Sequence, residues 1–204
     1  EHAITTSADG ASSVYAADVD GDGDMDVLSA NLFDDKIRWY ENDGSESFTD
    51  HDISTSGSND GAYGVYAADV DADGDMDVLS ASFEDDKIVW YENDGSETFT
   101  EHIISDSASG ARSVYVADVD GDGDMDVLSA SSYDNKIAWY ENDGSESFTE
   151  HAISTTANSA RSVLAVDVDG DGDMDVLSAS TNDDKIAWYE NDGSESFTEH
   201  VIST

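Results

Sequence analysis

Apolar and polar positions alternate along this chain in short runs, and the alternation has the period of a β-strand. Residues 14–20 (VYAADVD) set small and β-branched residues against polar ones and predict a strand. Residues 26–30 (DVLSA) predict a second. Residues 36–41 (KIRWYE) predict a third, with Ile37 and Trp39 on one face and Tyr40 on the other. Residues 42–45 (NDGS) are a turn, because Asn, Asp and Gly tolerate positive φ. Residues 48–54 (FTDHDIS) predict a fourth strand. No stretch carries a helical period.

The whole pattern then repeats. DVDGDGDMDVLSA occurs three times, and once more as DVDADGDMDVLSA. The copies begin at Asp18, Asp69, Asp118 and Asp167, and Trp39, Trp90, Trp139 and Trp188 keep the same steps of 51, 49 and 49 residues. Self-similarity at this period marks a solenoid, propeller or array. Four short antiparallel strands per unit make the blade of a β-propeller. The expected fold is therefore all-β, a propeller of four-stranded antiparallel blades, four per chain. The blades are expected near residues 13–54, 64–105, 113–154 and 162–203 of one domain, or half-propeller, spanning 1–204. Residues 1–6 are expected to be a redundant outer-strand stub, since EHAI at the start repeats EHVI at 199–202. Ala16 and Ala17 make the first strand the least bulky, suited to the crowded centre of a ring. Aromatics on both faces suit a sheet packed between two neighbours.

Propellers run from four to eight blades. Four could close alone, or two chains could form an eight-bladed ring. An open arc would expose two apolar faces. Near-identical blades join equally well within and between chains, so the expectation leans to a homodimer.

The segment between the first two strands of each unit carries the chemistry. With Asp18 as position 1, carboxylates fall at positions 1, 3, 5 and 9 as Asp18, Asp20, Asp22 and Asp26. Gly23 at position 6 allows a sharp turn, and Asp24 at position 7 can offer its backbone carbonyl. This is the first part of the ligand spacing of an EF-hand, without its Glu at position 12 (here Ser29) and without flanking helices. The same sets recur as Asp69, Asp71, Asp73, Asp75 and Asp77; as Asp118, Asp120, Asp122, Asp124 and Asp126; and as Asp167, Asp169, Asp171, Asp173 and Asp175. Five acids within nine residues repel one another unless a cation lies among them. All-oxygen ligation without His or Cys selects Ca²⁺, one ion per blade and about four per chain.

The DxDxDGxxD loop between two strands, in a repeat of propeller length, resembles the FG-GAP or VCBS repeat of integrin α-chain propellers and many secreted bacterial proteins. The resemblance covers essentially the whole chain. It implies that the loop joins the innermost strand to the second and binds Ca²⁺ through the aspartates named above. It also implies an extracellular setting. The Phe-Gly pair that names the family is replaced here by Ser13-Val14, Gly64-Val65, Ser113-Val114 and Ser162-Val163.

Charge narrows the partners. With 49 acidic and 7 basic residues the net charge is −42, which excludes binding to a nucleic-acid backbone or an anionic membrane surface. It also suits a high-salt environment, where screening is strong. No apolar run reaches the roughly 18 residues of a membrane span, so no membrane insertion is expected. There is no Cys, hence no disulfide and no thiol chemistry.

Nearly every polar group exists in four equivalent copies, whereas a catalytic site needs one asymmetric constellation. The chain is expected not to be an enzyme. The expected function is a calcium-stabilised binding or adhesion module for glycan or protein. The alternatives are a purely structural repeat scaffold, or fragment of a larger secreted protein, and a carbohydrate-active enzyme domain. The copies differ after the second strand (Asn31-Leu32-Phe33, Ser82-Phe83-Glu84, Ser131-Ser132-Tyr133, Ser180-Thr181-Asn182). They also differ before the first, at Ser12, Tyr63, Arg112 and Arg161, with a two-residue insertion near Asn59. Both variable loops are expected on the face opposite the metals. Phe33, Phe83, Tyr133 and Tyr63 are the candidate ligand contacts there, although drift at loop tips gives the same variation. Lys36, Lys87, Lys136 and Lys185 are expected to form ion pairs with loop acids such as Asp34 and Asp35. The histidines are expected to be structural.

Overall fold

The computed structural model describes residues 2–54 and 60–203, and the insertion near Asn59 lies outside them at its final residue. Sixteen strands form four sheets, each from four consecutive strands in sequence order. The first sheet holds β1 (Ala11–Ala17), β2 (Asp26–Asn31), β3 (Lys36–Asn42) and β4 (Phe48–Asp52). The second holds β5 (Ala62–Ala68), β6 (Asp77–Ser82), β7 (Lys87–Asn93) and β8 (Phe99–Ser105). The third holds β9 (Ala111–Ala117), β10 (Asp126–Ser131), β11 (Lys136–Asn142) and β12 (Phe148–Ser154). The fourth holds β13 (Ala160–Val166), β14 (Asp175–Ser180), β15 (Lys185–Asn191) and β16 (Phe197–Ser203). Every pairing is antiparallel, and the described residues contain no helix.

Register sorts the side chains onto two faces. Trp39 lies opposite Leu28 and Ile37 opposite Ala30, so these four share one face; Val27 and Tyr40 share the other. The first face of each sheet packs on the second face of the next. Leu28, Ile37 and Trp39 meet Val65, Val78 and Tyr91; Leu79, Ile88 and Trp90 meet Val114, Val127 and Tyr140; Leu128, Ile137 and Trp139 meet Val163, Val176 and Tyr189. Burying each such aliphatic side chain contributes about 1.5–3 kcal/mol. An edge-to-face contact closes each seam, with Trp39 on Phe99, Trp90 on Phe148 and Trp139 on Phe197 at 6.5, 6.4 and 6.3 Å between ring centres.

The first strand of each sheet packs on the first strand of the next, which makes it the innermost. Small residues occupy positions 16 and 17, as expected, but the strand also carries bulk. Tyr15, Tyr66 and Tyr115 meet in series as tilted rings, with centres 4.6 and 4.9 Å apart, between the inner strands. The strand begins and ends three residues earlier than its alternation implies, at Ala11–Ala17 rather than 14–20. The reason is electrostatic: Asp18 and Asp20 turn out of the ladder to bond backbone amides of the following loop. Among the described residues the first and fourth sheets do not pack on each other, so the four blades form an arc that is not closed.

Candidate metal centre and the opposite rim

The β1–β2 and β3–β4 connections share one end of each sheet, and the β2–β3 turn and the inter-blade linker share the other. At the first end the acidic loop winds as a chain of side-chain-to-backbone bonds. In blade 1, Asp18 Oδ2 accepts from Gly23 N at 3.1 Å, Asp20 Oδ1 from Asp22 N at 3.1 Å, and Asp22 Oδ1 from Asp24 N at 2.8 Å. The bonds recur around Asp69, Asp71 and Asp73; Asp118, Asp120 and Asp122; and Asp167, Asp169 and Asp171. In blades 3 and 4 the position 1 carboxylate bonds the loop through both oxygens, Asp118 Oδ1 accepting from Gly121 N and Asp167 Oδ1 from Gly170 N as well. The glycine at position 6 is required by its backbone. Its φ is +98°, +101°, +102° and +105° in Gly23, Gly74, Gly123 and Gly172, a region that a Cβ strongly disfavours.

Position 9 closes the loop from β2. Asp26 is fully buried; Oδ2 accepts from Val19 N at 3.0 Å and Oδ1 from Asn42 N at 2.8 Å. Asp77, Asp126 and Asp175 repeat both bonds. Burial pushes the Asp77 and Asp126 carboxyls up to about 6, despite the amides that favour the charged form. Partial burial, then the neighbouring carboxylates, raises Asp20, Asp71 and Asp120 as well, against the amide two residues on.

Carboxylate oxygens of Asp18, Asp20 and Asp22 lie within 4.8 Å of one another, as do those of Asp69, Asp71 and Asp77, of Asp118, Asp120 and Asp122, and of Asp167, Asp169 and Asp175. Positions 1 and 3 thus converge in every blade, joined by position 5 in blades 1 and 3 and by position 9 in blades 2 and 4. Position 7 does not join them by its side chain. The carboxylates of Asp24, Asp75, Asp124 and Asp173 instead fill the space where a Cβ on Gly44, Gly95, Gly144 or Gly193 would sit. This explains why NDGSE never varies: its glycine accommodates the acidic loop, and its Asn amide caps position 9. The unvarying turn was visible in the sequence, but its role as a wall of the site was not.

These residues fit a calcium ion. The donors are all hard oxygens. Asp18 Oδ1 and Asp69 Oδ1 are buried and lack a hydrogen-bond partner, which is costly without a cation to meet them. Positions 1, 3, 5 and 9 would hold the ion, and its charge would relieve the repulsion among the clustered acids.

The outer strands carry a device that the sequence did not reveal. His51 stacks on Trp39 at 4.6 Å and bonds Glu41 through Nε2 at 2.8 Å, and the arrangement recurs at His102, His151 and His200. Lys87, Lys136 and Lys185 pair with the loop acids Asp85, Asp134 and Asp183 at 2.7, 3.5 and 3.7 Å, while Lys36 reaches across to Asp52 on the outer strand, as Lys136 and Lys185 also do to Glu150 and Glu199.

At the opposite rim a repeated backbone frame holds unlike side chains. Leu32 N, Phe83 N, Ser132 N and Thr181 N each bond the linker carbonyl of their own blade, at Gly10, Gly61, Gly110 and Ser159. On this frame Tyr63, Phe83 and Tyr133 form a run with ring centres 6.1 and 4.9 Å apart. The Arg112 guanidinium lies 4.6 Å from the Tyr63 ring centre and 4.2 Å from that of Phe83, while its Nε donates to Ser132 Oγ. Phe33 stands apart and exposed.

A family model described as FG-GAP-like repeat matches residues 18–80, 69–129, 118–178 and 167–204. The chain belongs to this family. Among solved structures, the FG-GAP-like chain is similar to the V. cholerae biofilm matrix protein Bap1, at 19% identity and a TM-score of 0.59 over 92% of this chain and 28% of that one. It is similar to a protein from Lactobacillus plantarum, at 17% identity and 0.67 over 95% of this chain and 57% of that one. It also resembles BBS1N, solved in complex with ARL6DN, at 12% and 0.62 over 96% and 58%. At these identities the likeness is one of fold. The FG-GAP-like chain spans well under two thirds of the length of each. No curated protein matches it.

Proposed function

We propose that this chain is an extracellular, calcium-stabilised binding module that does no chemistry itself. Four ions held at positions 1, 3, 5 and 9 fix one rim, and a ligand is taken at the other. The observation that carries the reading is the Tyr63–Phe83–Tyr133 run with Arg112 laid over it, the part of the rim where the copies differ most. Flat aromatic faces beside a guanidinium suit a glycan: sugar rings stack on aromatics, and hydroxyls accept from arginine. Extracellular placement is supported by the repeat family and by the likeness to a biofilm matrix protein. Glycan-array profiling in calcium tests the function. Expected is a restricted set of glycans whose binding is lost in Phe83→Ala and Arg112→Ala with the melting temperature unchanged. An empty array would return the rim to a protein ligand or to a scaffold role.

A further inference from the structure

We propose that the open face of the fourth sheet docks on the open face of the first sheet of a second copy of this chain, twice over, closing a two-copy ring of eight blades. Each half of the missing junction is already present, and the three internal junctions show how the halves fit.

The positions buried at every internal junction are bare at the two ends. Val65, Val114 and Val163 are 6%, 6% and 4% exposed, whereas their counterpart Val14 is 71% exposed. Ile37, Ile88 and Ile137 are wholly buried, whereas Ile186 is 41% exposed. Val19, Val70 and Val119 are 3%, 3% and 2% exposed, against 43% for Val168. Val14 lies on the face of blade 1 that would receive a preceding blade. Ile186 and Val168 lie on the face of blade 4 that would receive a following one. The lost burial is apolar on both sides, and its two parts are complementary rather than alike.

The polar links of the junctions run in series as well. Asp35 Oδ1 accepts from Gly61 N at 2.8 Å, Asp86 Oδ1 from Gly110 N at 2.7 Å, and Asn135 Oδ1 from Ser159 N at 2.9 Å. The next pair in the series is Asp184 with Gly10. Asn93 Nδ2 donates to Val19 O, and Asn191 Nδ2 to Val119 O, both at 3.0 Å. That series pairs Asn42 with the carbonyl of Val168. The Trp-on-Phe contacts leave Trp188 and Phe48 for each other. Ala108 and Ala157, buried in the linkers entering blades 3 and 4, have their counterpart in Ala8, which lines a groove on blade 1 together with Ile4, Ala11, Val14 and Tyr40.

One position departs from the series. Arg38 stands where the other blades have Val89, Ala138 and Ala187, but it enters paired, with Nε 3.3 Å from Asp52 and a guanidinium nitrogen 3.5 Å from Asp34. The two faces do not meet within these 204 residues and each complements the other, so a second copy of this stretch offers each face the partner it lacks. Two head-to-tail contacts related by a two-fold axis close without leaving an edge, and eight blades lie within the propeller range.

Light scattering of the 204-residue chain at ~0.15 M salt, where charge repulsion is screened beyond about 8 Å, decides the matter. Expected is twice the chain mass of 21.8 kDa, independent of dilution over the micromolar range. A mass of 21.8 kDa, or a ladder of larger species, overturns the closed pair. Val14→Glu and Ile186→Glu sit on open surface in the single chain, so each should keep the β-sheet circular dichroism and halve the mass. If either variant stays a dimer, the interface is elsewhere and the proposal fails. Mixing the two variants should restore a dimer, because one intact junction re-forms. A face that pairs with its own kind would be sensitive to only one substitution and would gain nothing from mixing.

Discussion

The two rims of the arc share one backbone and differ in everything their side chains do. At the acidic rim the same bonds recur in four blades with nearly the same lengths: the position 9 carboxylate accepts from the turn Asn amide at 2.8 Å every time. At the opposite rim the equivalent residues differ. Ser12 bonds backbone oxygens of Ala62 and Tyr63, Tyr63 lies against Phe83, and Arg112 and Arg161 both donate through Nε to a hydroxyl of their own blade, with Arg112 also covering two aromatic rings. A rim built on buried and converging carboxylates cannot drift freely, because each carboxylate holds the loop that places the next. A rim whose frame is made of backbone bonds leaves its side chains free to vary.

The difference is broken most directly by chelation. Each ion bound at a hundredfold excess over its dissociation constant stabilises the fold by about 2.7 kcal/mol, and 1 kcal/mol moves the melting temperature of a chain this size by about 2–4 °C. Calorimetry with excess EDTA should show a fall of well over ~10 °C; an unchanged melting temperature would mean that the acidic rim is not held by metal.

Lowering pH should act on the same rim. Asp77 and Asp126 have folded values raised above the unfolded one, to about 6. In the metal-free protein they therefore contribute stability that is full below about pH 4 and lost as pH rises through about 6. Calcium needs the charged form, so its affinity should fall as pH drops through the same window. Calcium titrations at pH 5 and pH 7.5 read this, and equal affinity at both would refute it.

Gly123→Ala should cost about 1–3 kcal/mol, because φ of +102° is strained for a residue with a Cβ although the space is open. Its thermal melt should be lowered and one calcium of the set lost. Ala72→Gly sharpens the point with the opposite sign. Position 4 is left-handed in every blade, and Ala72 occupies it with a Cβ where the other blades have glycine. Relief of that strain, less the entropy of the extra glycine, should raise stability by up to about 1 kcal/mol. Phe83→Ala on the far rim should leave both melting temperature and calcium count within error. A large loss there would show that the rims are not independent.

Most of the fold was legible because the repeat states each strand four times. Alternation placed β2 and β3 to within a residue, and carboxylate spacing picked out acids that converge, positions 1 and 3 in every loop with position 5 or 9 beside them. What escaped depends on side chains from separate strands meeting. Nothing local says that His51 will lie on Trp39, that Lys136 will reach Glu150 as well as Asp134, or that Arg112 of blade 3 will cover Tyr63 and Phe83 of blade 2. Position 7 reads in the sequence as a backbone-carbonyl donor, and nothing local shows where its carboxylate goes. That side chain belongs to the neighbouring turn, a fact set by the distance between two loops that are remote in sequence. The early end of β1 escaped because Asp18 and Val19 continue the alternation perfectly while serving a turn.

Each sheet is made from one uninterrupted stretch of chain, with no strand lent to a neighbour. A blade can therefore pair its strands as soon as its own residues have left the ribosome, before the next has been made, and growth proceeds from a finished edge. The same continuity sets what recombination can do: an unequal exchange between two repeats, wherever its break points fall, deletes or adds one whole sheet in register.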